Sequence, residues 1–439
     1  MLKLITRNIG RENSHTLAVA KANGAYSRLE KALAMTPEAI VEDVIKSNLR
    51  GLGGAGFPAG RKWSFLPKDS PKPRYLVANG DEGEPGTVKD KYVMIHDPHL
   101  LIEGIIITCY AIRSHKAFIY IRGEYDLPIE RVERAIAEAK AAGILGARVM
   151  GRDFALDIVV HRGAGAYICG EETSLLESLE GKRGWPRLKP PFPAVEGYQR
   201  CPTVVNNVET LSYVPFVIEM GGQAFADLGC ERNGGLRMYS ISGRVNKPGI
   251  YELPMGTPLR QIIYEHAGGI VGGRKLKAVV PGGSSCPILT ADEIDVPMDF
   301  DSLAKIGSML GSAGIIVFDE TVSIPEALLV LARFYAHESC GQCTPCREGT
   351  AWMEKIIKRI LDGMGRPGDA DNLVRIARNV LGNTICPLGD AAALPVMSWV
   401  TKFRPEFEEW IKRGRPVIES PVPVTHIGER AVSSAIAVA

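Results

Sequence analysis

Three cysteines, Cys340, Cys343 and Cys346, stand three residues apart twice in succession, and a fourth, Cys386, follows 40 residues after Cys346 with Pro387 behind it. Thiolates at C-x2-C-x2-C spacing joined by one remote Cys-Pro are a usual ligand set for a four-iron cluster. Two-residue loops let three sulfurs converge on three corners of a cube. The distant fourth closes it and ties two chain segments together. Structural zinc, which favours two separated C-x2-C pairs or includes histidine, is the competing chemistry. Plain core thiols are the third.

A second chemical feature is the run Arg50-Gly51-Leu52-Gly53-Gly54-Ala55-Gly56-Phe57-Pro58-Ala59-Gly60, with five glycines in ten residues. Gly51, Gly53 and Gly56 formally spell G-x-G-x-x-G, but the dinucleotide fingerprint needs a strand before the loop. Here a helix precedes it. Thr36 suits an N-cap and Pro37 the first helical position, and Ile40, Val41, Val44 and Ile45 share one face, which predicts a helix from Pro37 to about Ser47. The ordinary dinucleotide fold is therefore set aside at this point. The bare backbone N–H groups remain suited to a flat or anionic ligand; a flexible surface turn is the plainer alternative. Lys62 adds a cation, and Phe57, Trp63 and Phe65 add flat apolar faces.

Two acidic loops follow. Tyr75 to Ala78 reads as a buried strand running into Asn79-Gly80-Asp81-Glu82-Gly83-Glu84-Pro85-Gly86. The strand Ala155 to Val160 runs into His161 to Thr173, which includes Tyr167, Gly170, Glu171 and Glu172. Paired carboxylates beside glycines fit general acid–base work, acceptance of hydrogen bonds from ribose or ribityl hydroxyls, or simply an acid-rich helix start. Asn206-Asn207 offers amide donors and acceptors for a heterocycle edge, or serves as a turn.

These features need a frame to hold them. Asp97-Pro98 caps a helix to about Ile112, Ala117 to Ile121 is a further strand, and Pro128 to Ala142 a further helix. Alternation of this kind predicts an α/β, mainly parallel, Rossmann-like sheet with ligands at the carboxyl ends of its strands. Residues 236–320 read as an α+β unit of hairpin, helix and strands with no catalytic set, His266 and Cys286 being packed. From Ser323 the pattern is helical, a small bundle with the cysteines at one end. The expected division is 1–35 as an N-terminal extension, 36–232 as the ligand-binding α/β domain, 236–320, 323–413, and a loose or partner-bound tail at 414–439.

Bulk properties narrow the function. The 439 residues carry 52 basic and 50 acidic side chains, a net charge of +2 that gives no argument for nucleic acid or an anionic membrane. Nine cysteines in so long a chain are not a disulfide scaffold, and a reducing compartment fits best. Leu100 to Ile112 is the longest greasy run and is too short to span a bilayer. No signal peptide is visible.

Together the glycine loop, the Asn79 loop, Gly163 to Thr173, Asn206-Asn207 and the cysteine set resemble the NADH-oxidising flavin subunit of bacterial respiratory complex I, the NADH:quinone oxidoreductase. Similar subunits occur in NAD-linked hydrogenases and formate dehydrogenases. The resemblance spans about Tyr26 to Glu409. It implies an FMN held by Gly51, Gly53, Gly54, Ala55, Gly56, Lys62, Asn79, Asp81, Glu82, Tyr167, Gly170, Glu171, Glu172, Asn206, Asn207 and Thr210. NADH would meet Phe57, Phe65, Glu84, Glu172, Lys189 and Phe192, with Glu84 and Glu172 near the hydride-transfer site and no protein group catalytic in itself. A 4Fe-4S cluster would sit on Cys340, Cys343, Cys346 and Cys386, and residues 236–320 would be a ubiquitin-like β-grasp (SLBB) domain. The resemblance also implies a thioredoxin-like 2Fe-2S subunit and a larger iron–sulfur subunit as partners. The chain would then lie on the cytoplasmic face of the inner membrane without entering it.

Two departures from the family pattern matter. Leu52 replaces a usual arginine, so one positive charge near the phosphates is missing unless Arg50, Arg61 or Lys62 substitutes. Gly80 and Gly83 lean towards the hydrogenase and formate-dehydrogenase relatives, whereas Thr87-Val88-Lys89-Asp90 leans back towards complex I. The alternative to a complex I subunit is therefore its counterpart in a soluble NAD-linked assembly, and a non-enzymatic scaffold around a structural metal is a third reading.

Overall fold

A computed structural model of the chain describes residues 2–418; most of the 414–439 tail lies outside the described residues. The first sheet has four strands, β1 (Tyr75–Gly80), β2 (Lys116–Ile121), β3 (Asp157–Arg162) and β4 (Thr203–Asn207), in the order β3-β2-β1-β4. Every pairing in it is parallel, with Tyr75 beside both Lys116 and Thr203. The strand order reverses direction at β1, so a crevice opens between the carboxyl ends of β1 and β4.

Helices fill the connections: α1 (Pro37–Lys46), α2 (Ala59–Ser64), α3 (Lys89–His96), α4 (Pro98–Ile112), α5 (Asp126–Ala141), α6 (Glu172–Leu179) and α7 (Val208–Met220). Thr36 caps α1 as expected, its hydroxyl accepting from the Ala39 amide at 3.2 Å, and Asp97 caps α4 through the Leu100 amide. Caps of this kind are worth about 1 kcal/mol each. Helices α4 and α7 are buried along almost their whole lengths and pack on each other behind the sheet. Gly104 permits that approach, since a Cβ there would lie 2.0 Å from the Leu211 carbonyl oxygen.

The N-terminal extension is bonded into the fold. Glu252, on the second sheet, accepts the amides of Leu4, Ile5 and Thr6 at 2.9–3.1 Å. Asn8 donates to Asp97, the Tyr26 hydroxyl meets His99 at 2.7 Å, and Arg28 pairs with the buried Glu103 at 3.3 Å. The segment is a belt pinned to α4, and the hydrogen-bonding capacity of those buried groups explains why.

The second sheet is mixed, ordered β6 (Gly249–Pro254), β5 (Leu236–Gly243), β9 (Gly314–Asp319), β7 (Leu276–Val280) and β8 (Leu289–Thr290), with β5 and β9 parallel. The chain closes with α8 (Ile324–Glu338), α9 (Thr344–Arg359), α10 (Asp369–Val380), α11 (Leu388–Lys402) and α12 (Arg404–Arg413). Helices α8 to α11 form a bundle whose core, from Leu328 to Trp399, also takes in Val280 and Ile288 of the second sheet's unit. His266 and Cys286 are packed, as expected.

Candidate functional site

The sequence-predicted residues converge on the carboxyl edge of the first sheet. Asn79 on β1 stands beside Asn207 on β4 in the ladder, and Ala78 beside Asn206. The glycine loop folds over this point as a tight turn, closed by Gly51 N–H to Phe57 O at 2.8 Å and Gly56 N–H to Gly51 O at 3.2 Å. A Cβ on Gly53 would meet Asn207 Cβ at 3.1 Å, while Gly54, at φ +141°, has open space beside it. Gly53 and Ala55 are exposed, so the loop presents main chain rather than side chain to the crevice. Leu52 points the other way. It is fully buried in the core and its amide donates to Thr210 Oγ1 at 2.8 Å.

Several predicted ligands turn out to be anchored on protein. Glu82 is buried, its carboxylate accepting the amides of Asp90 at 2.8 Å and Lys91 at 3.0 Å and the Tyr125 hydroxyl at 3.2 Å. It fixes the start of α3, and burial raises its pKa to about 7. Asn207 caps α7 through the Glu209 amide and is gripped by Lys89 at 3.1 Å and Asp90 at 2.6 Å. Asn79 bridges Gly170 O and the Asp81 amide. Asn206 accepts from Trp63 Nε1 at 2.8 Å, and its NH2 end finds no acceptor among the described residues. Asp81 is raised to about 7 by burial at the same edge.

The two acids after β3 divide their work. Glu171 caps α6 through the Thr173 and Ser174 amides and receives Lys189 at 2.8 Å. Glu172 sits between Lys62 at 3.1 Å and Lys189 at 3.0 Å, and although burial opposes it, those two ammonium groups carry its pKa below the usual carboxylate range. Lys62 also donates to Val205 O. Around this pair stand uncovered aromatic faces: Phe57 and Phe65, 5.8 Å apart and 43% and 57% exposed, and Phe192, 57% exposed, three residues beyond Lys189. Uncovered rings beside two cations suit a flat base and an anionic tail.

The four cysteines come from two segments and pack with Ile168, Leu175 and Leu388 in one apolar group under the Gly163–Thr173 loop. Cys343 is the N-cap of α9, Cys346 lies in its first turn, and Cys386 immediately precedes Pro387, the N-cap of α11. Two helix N-termini thus aim their positive ends at the thiols, which favours an anionic cluster. Among the described residues no three histidine, cysteine or acidic side chains are grouped to hold a lone metal ion. Four thiols from two segments are the donor type that a four-iron cluster takes. Arg347, beside Cys346, donates to Gly341 O at 2.9 Å and pairs with Glu348.

Residues that sequence reasoning passed over complete the site. Cys169, outside the C-x2-C-x2-C run, lies in the same apolar group as Cys340, Cys343, Cys346 and Cys386. Glu338, two residues before Cys340, accepts the Tyr167 amide at 3.0 Å and so ties the cysteine segment to the loop after β3. The Tyr167 hydroxyl donates to Glu84 at 2.5 Å, and Ser285 N–H to the other Glu84 oxygen at 2.8 Å. The run Pro281-Gly-Gly-Ser-Ser285 was a visible signal for the last contact.

A glycine cradle at the switch point of a parallel sheet, a cation-rimmed aromatic mouth and a four-thiol nest under the same loop define a flavoprotein with an iron–sulfur centre. Residues 44–216 match the Nuo51 FMN-binding domain, residues 238–289 the SLBB domain, and residues 326–410 the iron–sulfur binding region of the F-type NADH-ubiquinone oxidoreductase chain. Over 413 residues the chain is 52% identical to the second F-type subunit of the NADH-quinone oxidoreductase of Rhizobium meliloti (strain 1021), covering 94% of this chain and 98% of that relative. It is 50% identical over 418 residues to the F-type subunit of the NADH-quinone oxidoreductase of Mycobacterium tuberculosis (strain ATCC 25618 / H37Rv), covering 94% of each. Among solved structures, an NAD+-reducing NiFe-hydrogenase in the air-oxidized state matches with TM-score 0.80 and 34% identity, over 94% of this chain and 70% of that one. The chain belongs to the F-type subunit family of the NADH-quinone oxidoreductases, with an FMN-binding domain and a 4Fe-4S region.

Proposed function

We propose that this chain is the NADH dehydrogenase module of a multi-subunit NADH-quinone oxidoreductase, handing electrons to partner iron–sulfur subunits. FMN supplies the chemistry that joins the two ends, since it accepts hydride as an electron pair and releases electrons singly to a one-electron cluster. The protein's task is to seat, orient and shield. The main chain of Gly53 to Ala55 gives a flat bed, and Asn206 offers its unpartnered NH2. Phe57, Phe65 and Phe192 would flank the adenine end of NADH, and Lys62 and Lys189, held in place by Glu172, would meet its anionic groups. Glu84 would stand near the hydride-transfer site. Cys340, Cys343, Cys346 and Cys386 would ligate the 4Fe-4S cluster.

The observation that carries this reading is the 3.0 Å link from Tyr167 to Glu338, which puts the cofactor loop and the cysteine segment in direct contact. Electron transfer between two centres needs that nearness. In complex I the partners would be a thioredoxin-like 2Fe-2S subunit and a larger iron–sulfur subunit. No described helix is long and apolar enough to cross a membrane, so a place on the cytoplasmic face would depend on such partners.

The second reading, a counterpart in a soluble NAD-linked assembly, draws on the 0.80 TM-score against the NAD+-reducing hydrogenase. Identity of 52% against 34% favours the quinone-linked reading. Purified, flavin-loaded chain should reduce ferricyanide with NADH; a yellow protein inert to NADH would overturn the activity. Affinity capture from native membranes and cytosol separates the two assemblies by what accompanies the chain.

A further inference from the structure

Glu84 is held directly by two parts of the fold and indirectly by a third. Its Oε2 accepts the Tyr167 hydroxyl at 2.5 Å, and its Oε1 accepts the Ser285 amide at 2.8 Å and the Ser284 hydroxyl at 3.3 Å. Ser284 and Ser285 lie in the loop between β7 and β8 of the second sheet, in a unit with no chemistry of its own on the sequence. The Ser284 hydroxyl also meets the hydroxyl of Tyr335, a buried residue of α8, at 2.8 Å. One turn on, Glu338 of the same helix accepts the Tyr167 amide at 3.0 Å. The contacts close a circuit: Glu84, Ser284, Tyr335, α8, Glu338, Tyr167 and back to Glu84.

The circuit leaves little freedom. Gly283 sits at φ +105°, and a Cβ there would fall 2.6 Å from Glu84 Cγ. Tyr167 packs its ring edge-on against Phe334 and Tyr335, 5.0 and 6.1 Å away. Such a carboxylate, fixed by three donors and walled by a glycine, has one orientation.

We propose that Gly283, Ser284 and Tyr335 are positioning residues that aim the Glu84 carboxylate at the nicotinamide, so that the β-grasp unit and the helical bundle together tune how the site weighs NAD+ against NADH. This rests on the proposed placement of Glu84 at the hydride-transfer site. The oxidised nicotinamide ring carries a positive charge that the reduced ring lacks, so a fixed carboxylate near it favours the oxidised form by simple Coulomb attraction. A carboxylate swung aside loses that preference.

The test uses the full flavin-loaded chain with calorimetric titration of NAD+ and of NADH. Glu84→Gln, Gly283→Ala and Tyr335→Phe should all keep their flavin, and each should weaken NAD+ relative to NADH. A shift of about fivefold is the scale expected for coupled neighbours. In the Glu84→Gln background, Gly283→Ala should add nothing, because the group it displaces has lost its charge. Additive effects would mean that Gly283 acts structurally, and would overturn the proposal. So would wild-type affinity ratios in Gly283→Ala and Tyr335→Phe beside a shifted Glu84→Gln, while leaving the placement of Glu84 intact. An unshifted Glu84→Gln would remove the placement and the proposal together. Should Gly283→Ala not fold, Ser284→Ala and Tyr335→Phe complete the same cycle with small cavities only.

Discussion

At the residue scale, the site is built from side chains whose charges are compensated before any ligand arrives. Glu172 is ionised because two lysines share it, and those lysines are the cations a nucleotide would meet. Glu172→Gln removes the charge that gathers Lys62 and Lys189 while keeping size and polarity. NADH affinity should fall by about an order of magnitude, the scale of one charge-assisted contact, with flavin content little changed by absorbance; flavin loss with intact NADH affinity would show that Glu172 serves the other ligand. Cys343 is a different kind of residue. As the N-cap of α9 with neighbours on both sides, it is replaceable structurally but not as a ligand. Cys343→Ala should abolish the cluster's electron-spin signal and leave the flavin bound, and an unchanged signal would refute the assignment. The cysteine spacing was legible in the sequence because ligand chemistry demands it. The anchoring of Glu82, Asn79 and Asn207 on protein was not, since a side chain that caps a helix and one that grips a ligand look alike until the helix start is located.

At the element scale, the sequence disclosed strands and helices whose apolar pattern is strong, including α1, α4 and α5. It hid three. Helix α7 contains Pro215 and is buried on all sides, so it shows neither amphipathic period nor clean continuity. Strand β4 is five residues ending in two asparagines, which read as a turn. Helix α3 begins at Lys89 and Asp90, both buried in ion pairs, which a pattern of apolar residues cannot show. The belt on α4 shows the same limit and carries a pH consequence. His99 is fully buried against the Tyr26 hydroxyl, with Glu138 at 3.3 Å on its other nitrogen and His15 nearby. Burial depresses its pKa from 6.5 to about 4, the opposing carboxylate notwithstanding. The unfolded segment takes up a proton near pH 6.5 that the folded one refuses, so stability present above that pH is lost as pH falls towards 4. The loss amounts to about 3 kcal/mol in full. Glu103, also under the belt, is raised to about 7 by burial and works the other way over the same window, so the His99 share is read by difference. His99→Asn should leave hydrogen exchange in residues 2–35 better protected at about pH 4.5, relative to about pH 7.5, than in the parent chain, and identical pH profiles in the two would contradict it.

At the scale of the whole molecule, the parallel sheet, an α+β unit over 236–320 and the bundle were each foreseeable from the order of strand and helix signals, because local patterning fixes what each segment becomes; that the α+β unit is a β-grasp came from the family resemblance alone. Their mutual contacts were not foreseeable. The acidic loop after β1 lies on the second sheet: Gly86 packs on Ile316, Thr87 on Ser312 and Gly314, and the Ser284 amide donates to Pro85 O at 3.2 Å. Lys89 and Glu209 of the first unit pair at 2.9 Å with Arg237 of the second close by, all fully buried. Such contacts join residues far apart in the chain, and no local pattern encodes them.

Glu338 lies late in the chain, yet the loop it steadies begins at Tyr167 and the acid that loop holds is Glu84. A chain broken off before Glu338 would keep all four strands of the first sheet and lose this stay on the Tyr167 loop, so late-made helices finish a loop that belongs to early-made strands.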